Sequence, residues 1–223
     1  MTRKRVGILI SGRGSNMEAL IAAARDPAYP AEIAVVISNL PGAAGLALAE
    51  AAGLPAIAID HRTFTSRMAF EMRMHKVLLD HGVDLVCNAG FMRILTADFV
   101  NRWIDRHLNI HPSLLPAFTG LDVHERVLMS GVRITGATVH FVRVEMDQGP
   151  IIAQAAVPVL PNDTPTTLST RVLGVEHRLY PHALAMVAAG QVMVDHGAVI
   201  YRVEQNAGFP LFAPNLAPRQ TAS

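Results

Sequence analysis

Short apolar runs alternate with helical stretches through the N-terminal half of the chain, and that rhythm limits the fold more than any other feature. The runs are Arg5–Ile10, Glu32–Ser38, Pro55–Ile59 and Leu85–Asn88. Helical patterning covers Met17 to about Arg25, Ala43–Ala52, Ser66–His81 and Ala97–Trp103. A strand such as LVCN, apolar on both sides, must be covered on both sides. Strands alternating with helices wind into a parallel sheet with helices on its two faces. The expected fold class is therefore α/β, a mostly parallel, twisted sheet.

The pattern changes in the C-terminal half. A helix is expected over Asp122–Gly131, then strands over Ile134–Val144 and Ile151–Val159, broken by the turn residues at 145–150. These two read as an antiparallel pair. Asn162, Asp163, Thr164 and Pro165 form a strong helix start. That helix should run to Gly190 with Leu168, Val172, Val175 and Leu179 on one face and a kink at Pro181. Short strands are expected near Gln191–Val194 and Val199–Val203, followed by a loose tail from Asn206. The division expected is an N-terminal phosphate-binding half at 1–103, a catalytic half at 104–205 sharing the same sheet, and a tail at 206–223.

Composition excludes several classes. The chain has 223 residues, 51% hydrophobic and 17% charged, enough apolar material for a substantial core. Its net charge is +1 and its basic residues are scattered, which argues against nucleic acid as the main partner. One cysteine, Cys87, rules out an internal disulfide framework and fits a reducing compartment. No apolar stretch approaches a membrane span and no signal peptide is read before the first strand, so a cytoplasmic protein is expected. His61, His75 and His81 read as solvated, without ligand spacing, so no metal is expected.

Chemistry concentrates in a few stretches. Residues 108–120 read LNIHPSLLPAFTG. In extended chain, Asn109 and His111 share a face, and Pro112 keeps His111 extended. A neutral amide beside a titratable ring suits a developing oxyanion, although a capping Asn and a surface His fit the same spacing. The turn at 11–16, SGRGSN, lies between a strand and a helix, where free N–H groups hold anions. Gly12 and Gly14 match the first two glycines of a dinucleotide fingerprint, but Met17 replaces the third, and Asn39 stands near where an acid would hold a ribose. One phosphate monoester fits better than a dinucleotide, and a ligand-free βα turn remains open. The stretch GFMRIL at 90–95 suits an aromatic ligand slot, or a loop tucking Phe91 and Leu95 into the core.

Taken in order, SGRGSN, GFMRIL, NIHPSLLP and MDQGPII resemble the folate-dependent formyltransferase family, over roughly Val6 to Tyr201. The resemblance implies a Rossmann-like N-terminal half. It implies transfer of the formyl group of 10-formyltetrahydrofolate to the amine of 5'-phosphoribosylglycinamide in purine biosynthesis, without a metal. The family's catalytic residues fall on Asn109, His111 and Asp147, and its phosphate-binding residues on Gly14, Ser15 and Asn16. Glu176 matches the acid that contacts the substrate sugar. Folate contacts fall on Arg67, on Met92, Arg93, Ile94 and Leu95, on Asn109, and on Arg143, Val144, Glu145, Met146 and Asp147. Leu173, Asp122 and Gln148 depart from the residues found in some members. The partners implied are the two small molecules, with the chain as monomer or homodimer, no nucleic acid and no membrane.

The implied reaction needs a neutral amine and donors for a tetrahedral oxyanion. His111 donates best as imidazolium, and a free ring with a pKa of about 6.5 is mostly neutral near pH 7. A carboxylate beside it favours the charged form, which is the part assigned to Asp147. The alternatives are a hydrolase that releases formate from the folate, usually with an N-terminal regulatory domain, and a non-catalytic nucleotide-binding module.

Overall fold

A computed structural model describes residues 2–204 together with Gly208, Leu211 and Ala213; the tail expected from Asn206 otherwise lies outside the described residues. The first five strands are β1 (Lys4–Ile10), β2 (Ala31–Ser38), β3 (Ala56–Ala58), β4 (Leu85–Asn88) and β5 (His107–His111). They pair parallel in the order β3-β2-β1-β4-β5. Two further strands, β6 (Ile134–Phe141) and β7 (Ile151–Pro158), add antiparallel to complete a seven-stranded sheet. A separate antiparallel pair, β8 (Val192–Asp195) and β9 (Ala198–Tyr201), follows.

The helices are α1 (Ser15–Ala24), α2 (Ala44–Ala51), α3 (Arg67–Asp80), α4 (Ala97–Arg102), α5 (Val123–Ser130) and α6 (Pro165–Ala188). They cover both faces, as the apolar strands require. Along β1, Val6, Ile8 and Ile10 enter one core with α1, α5 and α6, while Leu9 enters a second with α3 and α4. Leu168, Val172 and Leu179 of α6 are buried, and Val175 packs against them half-buried. The helix continues through Pro181, whose carbonyl accepts a 2.6 Å hydrogen bond from Tyr29 Oη.

Several expectations are corrected. β6 ends at Phe141, not Val144, because its partner β5 begins at His107 and the ladder stops at the pair Leu108–Phe141. The last strand ends at Tyr201, not Val203. α1 starts at Ser15, two residues before Met17, because Gly14 takes a left-handed φ of 81° and serves as its cap. His61, His75 and His81 are half-buried with partners rather than solvated. His61 and His81 bond the carbonyls of Asn39 and Val77, and His75 packs edge-on to Trp103.

Strand order places the site. β1 and β4 are neighbours whose following helices lie on opposite faces, so a crevice opens beyond their C-terminal ends. The turn after β1 and the segment after β4 meet there: Ser11 N donates to Gly90 O, and Ser11 Oγ accepts from Met92 N while donating to Asn39 Oδ1.

Candidate active site

The glycine turn presents an open helix end. The first N–H groups of a helix have no partner within it, and at α1 no side chain caps them. By contrast Ser66, Thr96 and Thr164 cap α3, α4 and α6 with their hydroxyls. The turn is also too tight for a side chain at its cap. A Cβ on Gly14 would stand 3.0 Å from Met17 Cε and 3.2 Å from Gly45 Cα. Asn16 Nδ2 donates to Glu176 Oε2 at 2.7 Å across to α6, which leaves Asn16 Oδ1 buried without a partner. Burial raises the Glu176 carboxyl above its ordinary range, and the Asn16 bond works against that shift. Leu173 lies one turn before Glu176 and is half-buried.

The segment after β4 alternates. Phe91 and Leu95 are buried in the core, whereas Met92 and Ile94 are 72% and 63% exposed. The core reading of GFMRIL therefore describes Phe91 and Leu95, while Met92 and Ile94 stay at the surface. Arg93 lies over the Phe70 ring at 5.7 Å. Arg67 is exposed at the first position of α3.

Beyond β5 the strand delivers Asn109 and His111 to one place, and the turn after β6 brings Asp147 to them. His111 is 6% exposed, so the surface alternative does not describe it. Its Nδ1 is 3.5 Å from Asp147 Oδ2, and its Nε2 donates to Phe118 O at 2.9 Å. Asp147 Oδ2 also accepts from Gly120 N at 2.9 Å. Asp147 has a left-handed φ of 58°. That conformation is uncommon outside glycine but most accessible to Asn and Asp, so the acid is held by its turn and not by a regular strand. Arg143 points away from the carboxylate, to Asp105 at 2.5 Å, while Val144, Glu145 and Met146 are exposed.

One member of this cluster was missed in the sequence. His140 is 2% exposed on β6, opposite Asn109. Its Nδ1 faces Phe141 O at 3.0 Å, a pure acceptor, so that nitrogen carries the proton. Its Nε2 then accepts from Asn109 Nδ2 at 3.2 Å and lies 3.8 Å from Asp147 Oδ1. Burial lowers the His140 pKa and keeps the ring neutral, against the opposing pull of the Phe141 carbonyl and Asp147. Asn109 is thereby oriented with its second N–H unspent. Thr138, two residues before His140 in the strand, donates to Ser113 O at 2.7 Å and accepts from Leu115 N at 3.0 Å, which anchors the PSLLP loop. The available signal was a pair of polar side chains, Thr138 and His140, two positions apart on one face of a strand buried from Thr135 to Phe141.

Among the described residues, no group of three or more His, Cys, Asp or Glu side chains is arranged to hold a metal ion, and no helix is long and apolar enough to cross a membrane.

Comparison with known proteins gives a consistent picture. Residues 4–184 match the formyl transferase family. The trifunctional purine biosynthetic protein adenosine-3 of Gallus gallus is 51% identical over 88% of the chain, which spans only 20% of that protein's length. The phosphoribosylglycinamide formyltransferase of Escherichia coli is 39% identical, with 86% of the chain and 90% of that protein aligned. The crystal structure of glycinamide ribonucleotide transformylase 1 from Symbiobacterium toebii superposes with a TM-score of 0.87 at 44% identity, covering 89% of the chain and 94% of that structure.

Proposed function

The chain belongs to the formyl transferase family, and from that premise we propose that it transfers the formyl group of 10-formyltetrahydrofolate to the amine of 5'-phosphoribosylglycinamide in purine biosynthesis. The observation that carries the reading is the Asp147 carboxylate, held by Gly120 N beside His111, with the Asn109 amide fixed by His140 next to it. Such a set handles negative charge and protons together, which acyl transfer to an amine requires.

The phosphate of the amine substrate docks on the N–H groups of Gly14, Ser15 and Asn16, where the open start of α1 favours an anion. The unpartnered Asn16 Oδ1 and the buried Glu176 carboxyl offer acceptors for sugar hydroxyls. The folate lies along Met92, Arg93, Ile94 and Leu95 and under the turn Arg143–Asp147, with Arg67 as a further contact. The phosphate turn belongs to residues 1–103 and the reacting groups to residues 104–205. The neutral amine attacks the formyl carbon. Asn109 turns its second N–H to the oxygen that becomes negative, and His111 in its protonated form adds positive charge beside it. In this conformation both ring nitrogens of His111 face protein acceptors, so direct donation to the oxyanion requires one of them to be released. Asp147 takes the amine's proton, directly or through a held water; collapse of the tetrahedral carbon then breaks its bond to folate N10, which leaves carrying that proton.

One assay tests the reading. The protein is mixed with formylfolate, with and without phosphoribosylglycinamide, and absorbance follows loss of the formyl group. Loss only with the amine supports transfer. Loss without it means hydrolysis, and no loss in either mixture leaves a binding module.

A further inference from the structure

The loop before α5 touches both charged members of the proposed set, yet its backbone is poorly suited to hold itself. Phe118, Gly120 and Asp122 have φ of 54°, 80° and 53°. Two of these are non-glycine residues in the left-handed region, a conformation that persists only when the surroundings enforce it. From the next helix Arg126 reaches back over the loop. Its Nη1 donates to Thr119 O at 2.5 Å and to Leu121 O at 3.3 Å, and its guanidinium lies 5.8 Å from the Phe118 ring centroid.

The first contact matters because of the peptide unit it grips. Thr119 C=O and Gly120 N–H belong to one amide, and that N–H donates to Asp147 Oδ2 at 2.9 Å. A guanidinium on the oxygen polarises the amide and strengthens donation from its nitrogen. The second contact, to Leu121 O, holds the far side of Gly120. The Asp147 side chain is only 8% exposed, so its hydrogen bonds count for more than they would in water. Arg126 is itself exposed, where solvent screens direct charge–charge effects. Its influence on the carboxylate therefore passes through the bonded peptide.

We propose that Arg126 is a positioning residue for formyl transfer, holding the Thr119–Gly120 peptide so that its N–H fixes and stabilises the Asp147 carboxylate. This rests on the functional reading above. Arg126→Gln keeps a neutral donor and removes the charge; Arg126→Lys keeps the charge; Arg126→Met removes both.

The expected result is a kcat about tenfold lower in Arg126→Met, small beside the loss of a group that meets the reacting atoms, with both KM values changed less than twofold. Arg126→Gln should fall between, and Arg126→Lys should be largely restored. A less stabilised carboxylate protonates more readily, so the acid limb of the pH–rate profile should move to higher pH in the Met and Gln variants but not in Lys. The Gly120 amide proton, followed by NMR, should shift upfield in the same order. Unchanged kcat, pH profile and Gly120 shift in folded Arg126→Gln would overturn the proposal, even if melting temperature fell. The amide measurement needs no turnover: an inactive wild type would sink the functional reading, while the Gly120 shift would still decide whether Arg126 acts on Asp147.

Discussion

The glycine turn after β1 and the acidic turn after β6, both assigned to the proposed site, are built by opposite means. The first works with backbone: Gly14 at φ 81° leaves a helix end without a side-chain cap. The second works with a side chain: Asp147 at φ 58° pushes a carboxylate between His111 and Gly120 N. Both spend an unusual conformation, but one clears side chains away and the other aims one inward. A backbone site should be sensitive to added bulk and indifferent to local charge removal; a side-chain site should be the reverse.

The largest expected effect tests the acidic turn. Asp147→Asn keeps the left-handed tolerance and the size of the side chain but removes the charge. Turnover should fall by about a hundredfold or more, and His111→Ala should do the same, with folate affinity by equilibrium binding nearly unchanged in both. Because Asp147 and His111 lie 3.5 Å apart and are proposed to serve the same step, the double mutant should lose less than the sum of the two losses in free energy. Full additivity in steady-state kinetics would separate the two residues.

The next tests the glycine turn. Gly14→Val places bulk against Met17 and Gly45 in a conformation valine resists. The KM for the phosphorylated amine should rise about tenfold, the scale of about 1.4 kcal/mol, while folate affinity holds. Equal loss for both ligands would mean a collapsed turn and not a lost anion site. Ser15→Ala sharpens the point, since it spares the N–H groups and should raise KM only a few-fold.

A smaller effect uses the capped helix as control. Thr164 and Thr167 form a reciprocal cap at α6, with Pro165 at its start. Thr164→Ala should cost about 1 kcal/mol of stability in urea unfolding and leave both KM values alone. A change in KM there would blur the distinction between helix ends that stabilise and a helix end that binds.

The smallest concerns pH. Burial pushes the fully covered His107 down to about 3, and it lowers His140 as well. Both rings stay neutral in the fold but take a proton when unfolded, near 6.5. Their contribution is therefore complete above that value and is lost as pH falls toward the folded values. The Asp163 carboxylate, held down first by its bonds to Arg171, acts at more acid pH and keeps the windows apart. The urea midpoint should drop between pH 6.5 and 4.5. His107→Gln, which keeps a donor for Asn88 Oδ1, should flatten that slope; an equal slope in the variant would assign the acid sensitivity elsewhere.

Much of this was legible in the chain itself, for physical reasons. Apolar runs such as Leu85–Asn88 can be satisfied only between two layers, so the α/β class followed from local pattern. Gly14 marked its own turn, because few residues tolerate a left-handed φ. Asn109 and His111 shared a face because strand geometry alternates, and Thr164–Pro165 announced α6 through its cap. What lay beyond local pattern depended on return paths. β6 comes back antiparallel to β5, and only that register sets His140 opposite Asn109 and brings Asp147 to His111. The end of β6 was set by where its partner begins, not by its own alternation. Of the three histidines expected to be solvated, His61 and His75 meet neighbours distant in sequence, Asn39 and Trp103, while His81 turns back onto the Val77 carbonyl of its own helix. Local geometry has a short period that the sequence repeats; distances between residues far apart are decided by how strands register and helices pack, and no single stretch carries that information.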